Sequence, residues 1–272
     1  MSSKCKLSDA IGRSDCRHVL GISGGKDSAA LAIYIKDKYP VLHEKMEYFF
    51  TDTGAELQEV YDFLEKLEAY LGKEIKRLSS GRDFEHWLKV HSDYLPSPRQ
   101  RWCTRVMKIK PFEEYVGDDN VISYIGIRAD ENREGYISHK DTIQAVFPFI
   151  EDGLVRDDVF EILENSVGIP EYYKWRSRSG CYFCFFQQQN EWLGLKRNHP
   201  ELFAKAVEIE KTSGNGYTWV QGRTLEDVVA RAELRERDGI ASVKVKAVRW
   251  QDRVKDIDDD DPEDQSCLIC SL

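Results

Sequence analysis

An apolar run that breaks at paired glycines and re-enters as a helix leaves a chain few options, and H-V-L-G-I-S-G-G-K-D-S at His18–Ser28 is such a run. The residues predict a short β-strand from His18 to Ile22, a tight turn at Ser23, Gly24 and Gly25, and a helix starting near Asp27. Glycines without a Cβ let backbone N–H groups approach an anion closely. The helix N-terminus adds donors and a favourable dipole. Lys26 supplies a positive charge, and Ser23 and Ser28 supply hydroxyls. The plain alternative is an ordinary glycine-rich turn before a surface helix, but six consecutive residues fit one anion-binding geometry. The nucleoside-triphosphatase loop is excluded. Leu20 stands where that motif needs its first glycine, and Asp27 follows the lysine in place of Ser or Thr.

The pattern repeats downstream. Ala29–Lys38 reads as a helix stopped by Tyr39-Pro40, Glu47–Thr51 as a buried strand, and Glu56–Leu71 as an amphipathic helix with Gly72 as its stop. Glu74–Leu78 and Val121–Ile127 read as further strands. Strands alternating with helices predict an α/β fold: a Rossmann-like parallel sheet with helices on both faces and ligands beyond the carboxyl ends of the strands. Past about Gly153 the strand rhythm gives way to helices at Asp157–Glu164, Glu191–Arg197 and Pro200–Lys211. T-L-E-D at Thr224–Asp227 reads as the start of another. We expect residues 1–165 to form the nucleotide-binding α/β domain. Residues 166–272 are expected to form a smaller helical, cysteine-containing region with a flexible acidic tail at Asp256–Asp264.

Two more segments follow strands. T-D-T-G-A-E at Thr51–Glu56 offers Asp52 to a Mg²⁺ ion, an ammonium or a hydroxyl, and the backbone of Thr53 and Gly54 to an adenine or ribose edge; a helix cap explains the same residues. G-I-R-A-D-E-N-R at Gly126–Arg133 puts Arg128 at a strand end, as a phosphate or substrate anchor or as part of a solvated ion-paired turn.

The S-G-G-K-D-S run resembles the pyrophosphate loop (PP-loop) of the adenine nucleotide α-hydrolase superfamily. With the other two segments, the stretch Val19–Lys211 resembles its phosphoadenylyl-sulfate reductase branch. That resemblance implies ATP and Mg²⁺ as ligands and attack at the α-phosphorus, releasing pyrophosphate. It places Ser23, Gly24, Gly25, Lys26, Asp27, Ser28, Asp52, Thr53, Gly54, Gly126 and Arg128 around the nucleotide, with Lys26, Asp52 and Arg128 catalytic. Reductases that cleave activated sulfate generally carry a serine-rich loop here, whereas this chain keeps Gly-Gly-Lys-Asp-Ser, which favours ATP.

Of the seven cysteines, Cys103 lies in R-Q-R-W-C-T-R, Cys181 and Cys184 in G-C-Y-F-C-F-F, and Cys267 and Cys270 in S-C-L-I-C-S-L; Cys5 and Cys16 belong to no motif. Two C-x-x-C pairs fit a structural zinc, and four thiolates fit an iron–sulfur cluster. Arg99, Arg101, Arg105, Lys108 and Lys110 surround Cys103, with no acid between Asp93 and Glu113; Lys174, Arg176 and Arg178 precede Cys181. These cations are expected to lower the thiolate pKa and favour an anionic cluster. Trp102, Tyr182, Phe183, Phe185 and Phe186 can pack around it or stack on a base. R-W-C-T with K-I-K-P and the later G-C-x-x-C resembles the sulfurtransferase subunit family of DNA phosphorothioation systems. The resemblance implies a four-iron, four-sulfur cluster on Cys103, Cys181, Cys184 and a C-terminal cysteine. Of the tail pair, one cysteine is expected to complete the cluster and the other to act as a mobile sulfur-carrying thiol; the spacing leaves the order open, and we assign Cys270 to the cluster and Cys267 to the carrier.

The chain is acidic, with net charge −9 and 32% charged residues, and shows no apolar membrane span and no signal-peptide core. We therefore expect a cytoplasmic, ATP-using sulfur-transfer enzyme. Its acceptor is expected to be nucleic acid and its sulfur donor a protein such as a cysteine desulfurase, with a homo-oligomer or multi-subunit complex as the assembly. An adenylyl-sulfate or phosphoadenylyl-sulfate reductase, and a non-catalytic nucleotide-binding subunit with a structural cluster or zinc, are the alternatives.

Overall fold

The computed structural model describes residues 5–131, 138 and 140–237. Cys267, Cys270, Arg133 and the acidic run Asp256–Asp264 lie outside the described residues. In chain order the elements are α1 (Leu7–Ile11), β1 (Arg17–Gly21), α2 (Lys26–Lys38), α3 (Pro40–Lys45), β2 (Met46–Thr51), α4 (Gln58–Leu71), β3 (Ile75–Leu78) and α5 (Phe84–Val90). Then come α6 (Trp102–Thr104), a π-helical turn (Arg105–Ile109), α7 (Lys110–Val116), β4 (Val121–Tyr124), β5 (Ile143–Val146), α8 (Pro148–Asp152) and α9 (Arg156–Glu164). A 3₁₀ turn at Glu171–Lys174, α10 (Gln189–Asn198), α11 (Pro200–Thr212), a 3₁₀ turn at Gly214–Gly216 and α12 (Leu225–Arg237) complete the order.

The five strands form one all-parallel sheet in the order β3-β2-β1-β4-β5. Successive strand residues point to opposite faces, and both faces are dry. Leu20, Tyr48, Phe50, Ile122 and Tyr124 join the large core with α2, α4 and α9, whereas Val19, Phe49 and Val121 pack with Phe112 and Val116 of α7. Helices therefore cover both faces, as expected for a Rossmann-like α/β fold. The large core also takes in Trp192, Leu195, Ala206, Val228 and Ala232, so the later helices share it with the sheet.

Differences from the sequence reading have local causes. Helix α4 starts at Gln58 and not at Glu56, because the Glu56 carboxylate turns back to accept from the Thr53 and Ala55 N–H groups. Gly72 ends that helix in the left-handed region (φ 68°). Strand β5 escaped notice: four residues, I-Q-A-V, directly before Phe147-Pro148, carry too short an alternation to read. The chain from Trp102 to Val116 is helical throughout, with a π turn in its middle. Pro111 has no N–H to offer the carbonyl four residues back, and the i→i+5 turn absorbs the defect. Among the described residues no helix is long and apolar enough to cross a membrane.

Candidate active site

The Ser23–Gly25 turn leaves β1 at the point where strand order reverses, between β1 and β4, the crevice where ligands bind in open α/β sheets. Gly24 is at φ 76°, and a Cβ there would lie 2.5 Å from Val60 Cγ1 on α4. Gly25 is the N-cap of α2, where a Cβ would lie 2.8 Å from Ser179 Oγ. Gly24 requires glycine for its positive φ, whereas a side chain at Gly25 would have to displace Ser179. Ser28 Oγ accepts from the Ser23 N–H (3.0 Å) and lies 3.1 Å from Ser23 Oγ, so the two serines close the turn on itself.

Two tyrosines missed by the sequence reading clamp this loop from the 3₁₀ turn at Glu171–Lys174. Tyr172 Oη donates to the Gly24 carbonyl (2.5 Å), and Tyr173 Oη accepts from the Lys26 N–H (2.9 Å). Nothing in E-Y-Y-K announces this role, which arises only when the chain returns over the sheet. Lys26 itself is 6% exposed, not the exposed loop lysine that the motif suggests. Its ammonium lies 3.3 Å from Asp27 Oδ2 and 5.8 Å from the Tyr173 ring centroid.

Arg128 is 3% exposed and ion-paired with Asp27 (2.9 Å), Asp130 (3.0 Å) and Glu131 (2.6 Å). Burial alone would lower its pKa, but the Asp27 and Glu131 carboxylates outweigh that and raise it. In this structure the guanidinium braces the first turn of α2 against the end of β4. Gly126 completes that junction: a Cβ there would sit 2.9 Å from the Asp27 carbonyl. We expect Gly126→Ala to cost roughly 1–3 kcal/mol by overpacking, read as a lower melting temperature; melting at the wild-type temperature would show that the junction is looser than drawn.

The second turn follows β2. Asp52 Oδ1 accepts from the Gly54 N–H (2.8 Å) and from Tyr61 Oη (2.8 Å). Thr53 Oγ1 donates to Glu56 Oε1 (2.7 Å) and lies 3.1 Å from Cys181 Sγ, so this turn reaches the cysteines. Cys103, Cys181 and Cys184 line one cavity of about 40 Å³ together with Thr53, Met107, Lys108, Phe183 and Phe185. Cys103 on α6 and Lys108 in the π turn, five residues apart, both line it.

The electrostatics differ from the sequence expectation. Burial pushes the Cys181 thiol well above its ordinary value, Glu56 adds to the rise, and Lys108 opposes both. Burial likewise raises the Glu56 carboxyl, with Lys108 again opposing. Two of the other expected cations are engaged away from the thiol. Lys174 pairs with Glu171, and Arg176, fully buried, donates to the Gly180 and Cys181 carbonyls (3.1 and 2.8 Å). Arg176 thus fixes the backbone that carries Cys181.

For a cluster the donor set is right in kind, three thiols on one cavity beside a lysine, but one short of four. As placed, no three His, Cys, Asp or Glu side chains among the described residues stand close enough to hold a metal ion. The predicted fourth donor, Cys270 or Cys267, lies outside them.

Residues 17–148, covering β1 to the start of α8, match the phosphoadenosine phosphosulfate reductase domain family. Over that segment the chain is similar to phosphoadenosine phosphosulfate reductase domains. Two uncharacterised proteins of Methanocaldococcus jannaschii are each 29% identical to the chain, over 69% and 71% of its length. The chain spans only 40% and 47% of those relatives. Among solved structures, the phosphoadenylyl-sulfate reductase of Candida auris, in a phosphate complex, aligns with 16% identity and a TM-score of 0.45, covering 60% of this chain and 78% of that one. The U34-tRNA thiolase NcsA of Methanococcus maripaludis, with its [4Fe-4S] cluster, aligns with 14% identity and a TM-score of 0.41, covering 81% and 84%.

Proposed function

We propose that the protein is an ATP-dependent sulfurtransferase that forms AMP and pyrophosphate. One observation carries the reading: the single strap from Tyr172 to Cys184 touches both halves of such a reaction. Its tyrosines and Ser179 hold the Gly-Gly-Lys loop, and its cysteines line the thiol cavity. Loop amides, Lys26 and a Mg²⁺ ion near Asp52 would carry the β,γ-phosphate charge. An acceptor oxygen then attacks the α-phosphorus, the bond to the bridging oxygen breaks, and pyrophosphate leaves. A sulfur nucleophile displaces AMP, so that a bond to sulfur replaces the bond to oxygen. A four-iron, four-sulfur cluster, when bound, would be held by Cys103, Cys181, Cys184 and Cys270 or Cys267, and supplies a site that presents sulfide. The cations around Cys103 support a nucleic-acid acceptor, and a cytoplasmic setting keeps the thiols reduced. A desulfurase-type donor would supply the sulfur as a persulfide, and two thiols closing to a disulfide would provide the two electrons that release it at the sulfide level.

The matched family supports a second reading, reduction of adenylyl- or phosphoadenylyl-sulfate by a C-terminal cysteine. Pyrophosphate release separates the two. The expected result is release from ATP with Mg²⁺, stimulated by acceptor, and no sulfite from either activated sulfate. Sulfite without pyrophosphate would decide for the reductase. Neither product would decide for a nucleotide-binding subunit without chemistry of its own.

A further inference from the structure

Beside the thiol cavity lies a second cavity, of about 310 Å³, lined by His91, Ser92, Tyr94, Gln100, Trp102 and Tyr217. Nothing in the nucleotide or thiol chemistry uses it. Trp102 forms part of its wall, and the next residue, Cys103, lines the thiol cavity; Phe84, stacked on Trp102 (5.2 Å, 26°), lines that cavity too. The two spaces thus stand on opposite sides of one aromatic partition.

We propose that this second cavity receives one unpaired base of a single-stranded polynucleotide, delivering the strand to the sulfur site. The inference rests on the reading of the acceptor as nucleic acid and names its form.

Size, shape and charge all support it. The volume falls at the lower end of the range for small-ligand pockets, roughly 300–1,000 Å³, the size of one nucleotide unit. The walls are planar rings in fixed poses. His91 lies flat on Trp102 (4.5 Å, 11°), and Tyr94 meets Tyr217 edge to face (4.2 Å, 62°). Such rings give a base a stacking platform.

Polar groups at the rim are uncommitted. His91 Nδ1 lies 2.8 Å from the Trp87 carbonyl, and because a carbonyl only accepts, Nδ1 carries the proton and Nε2 of the neutral ring is an acceptor. Neither Nε2 nor the Gln100 side-chain amide has a protein partner among the described residues. Together they present the acceptors and donors that a base edge requires. The wall is also held in place: Ser92 and Asp93 both sit at φ 56°, and the Asp93 carbonyl accepts from the Gly214 N–H (3.2 Å).

Phosphate contacts are at hand. Arg99 precedes Gln100 on the same loop, and Arg105 follows on the helix; both are exposed and without an ion-pair partner among the described residues. A duplex buries its base faces and cannot use such a cavity, whereas a single strand can.

The test uses the full chain and fluorescently labelled single strands of about a dozen nucleotides, as RNA and as DNA, followed by anisotropy over a salt series. We expect wild type to bind at least one of them with steep salt dependence. Tyr217→Ala and His91→Ala should each weaken binding roughly tenfold, the size of one lost stack. Tyr217→Phe should restore affinity, and Arg99→Gln with Arg105→Gln should flatten the salt slope. Pyrophosphate release from ATP without acceptor should be unchanged in every variant. Equal binding by wild type and Tyr217→Ala, equal competition by a blunt duplex or by free mononucleotides, or no binding by wild type would each overturn the proposal. Binding that responds to the variants in a protein that never cleaves ATP would leave this cavity standing and remove the sulfurtransferase reading instead.

Discussion

Replacing Lys26 by methionine should lower acceptor-stimulated pyrophosphate release by about 100-fold or more, while moving the melting temperature by only a few degrees. The first part follows from the loop: Lys26 is the charged side chain of the Gly-Gly-Lys turn, and an ammonium placed on a leaving pyrophosphate is worth this much in a site sheltered from water. The second part follows from its surroundings. The lysine is buried beside Tyr173, so alanine would remove both charge and packing and confuse the two effects. Methionine keeps the length and apolar contact of the stem. Asp27 is not stranded by the change, because Arg128 still pairs with it at 2.9 Å. Wild-type rates of pyrophosphate release in Lys26→Met would remove the loop from the chemistry.

The parts of this molecule written locally were legible. A strand, a glycine turn and a helix start are all encoded within the residues His18–Ser28, and β1, α2, β2 and α4 fall within two or three residues of where their patterns place them. What was not legible depends on the chain returning. Tyr172 and Tyr173 act on a loop almost 150 residues earlier, |i−j| 147 for Tyr173 and Lys26, and no spacing rule encodes that. The charge argument failed at Cys181 for the same reason. Counting arginines along the chain assumed that they face the thiol, whereas Arg176 faces carbonyls and Glu56, from a different motif, faces Cys181. The base cavity is likewise assembled from two distant stretches, residues 91–102 and Tyr217, of which only Trp102 stood out beforehand.

Cys181→Ser should abolish bound iron in anaerobically reconstituted protein, leaving the preparation without the brown colour expected of wild type, and should stop sulfur transfer while sparing ATP binding. Cys181, one of the three cysteines that line the cavity, is tightly placed. Its carbonyl is held by Arg176 (2.8 Å), its N-terminal neighbour Gly180 by the same guanidinium (3.1 Å), and its sulfur lies 3.1 Å from Thr53 Oγ1. Serine fits that space and can keep the contact with Thr53, so a loss of iron cannot be assigned to collapse of the fold. A serine oxygen, however, is a poor partner for iron beside thiolates. Its protonated form is also even harder to ionise than a thiol already pushed upward by burial. Cys103→Ser and Cys184→Ser should behave alike if one cluster spans the cavity, whereas Cys5→Ser and Cys16→Ser, outside it, should change nothing. The tail then divides the remaining roles: of Cys267→Ser and Cys270→Ser, one should lose iron and the other only turnover. Stoichiometric zinc with no iron in wild-type protein, lost in the same three variants, would keep the site and replace the cofactor. Full iron content in Cys181→Ser would show that the cavity is not where the cluster is held.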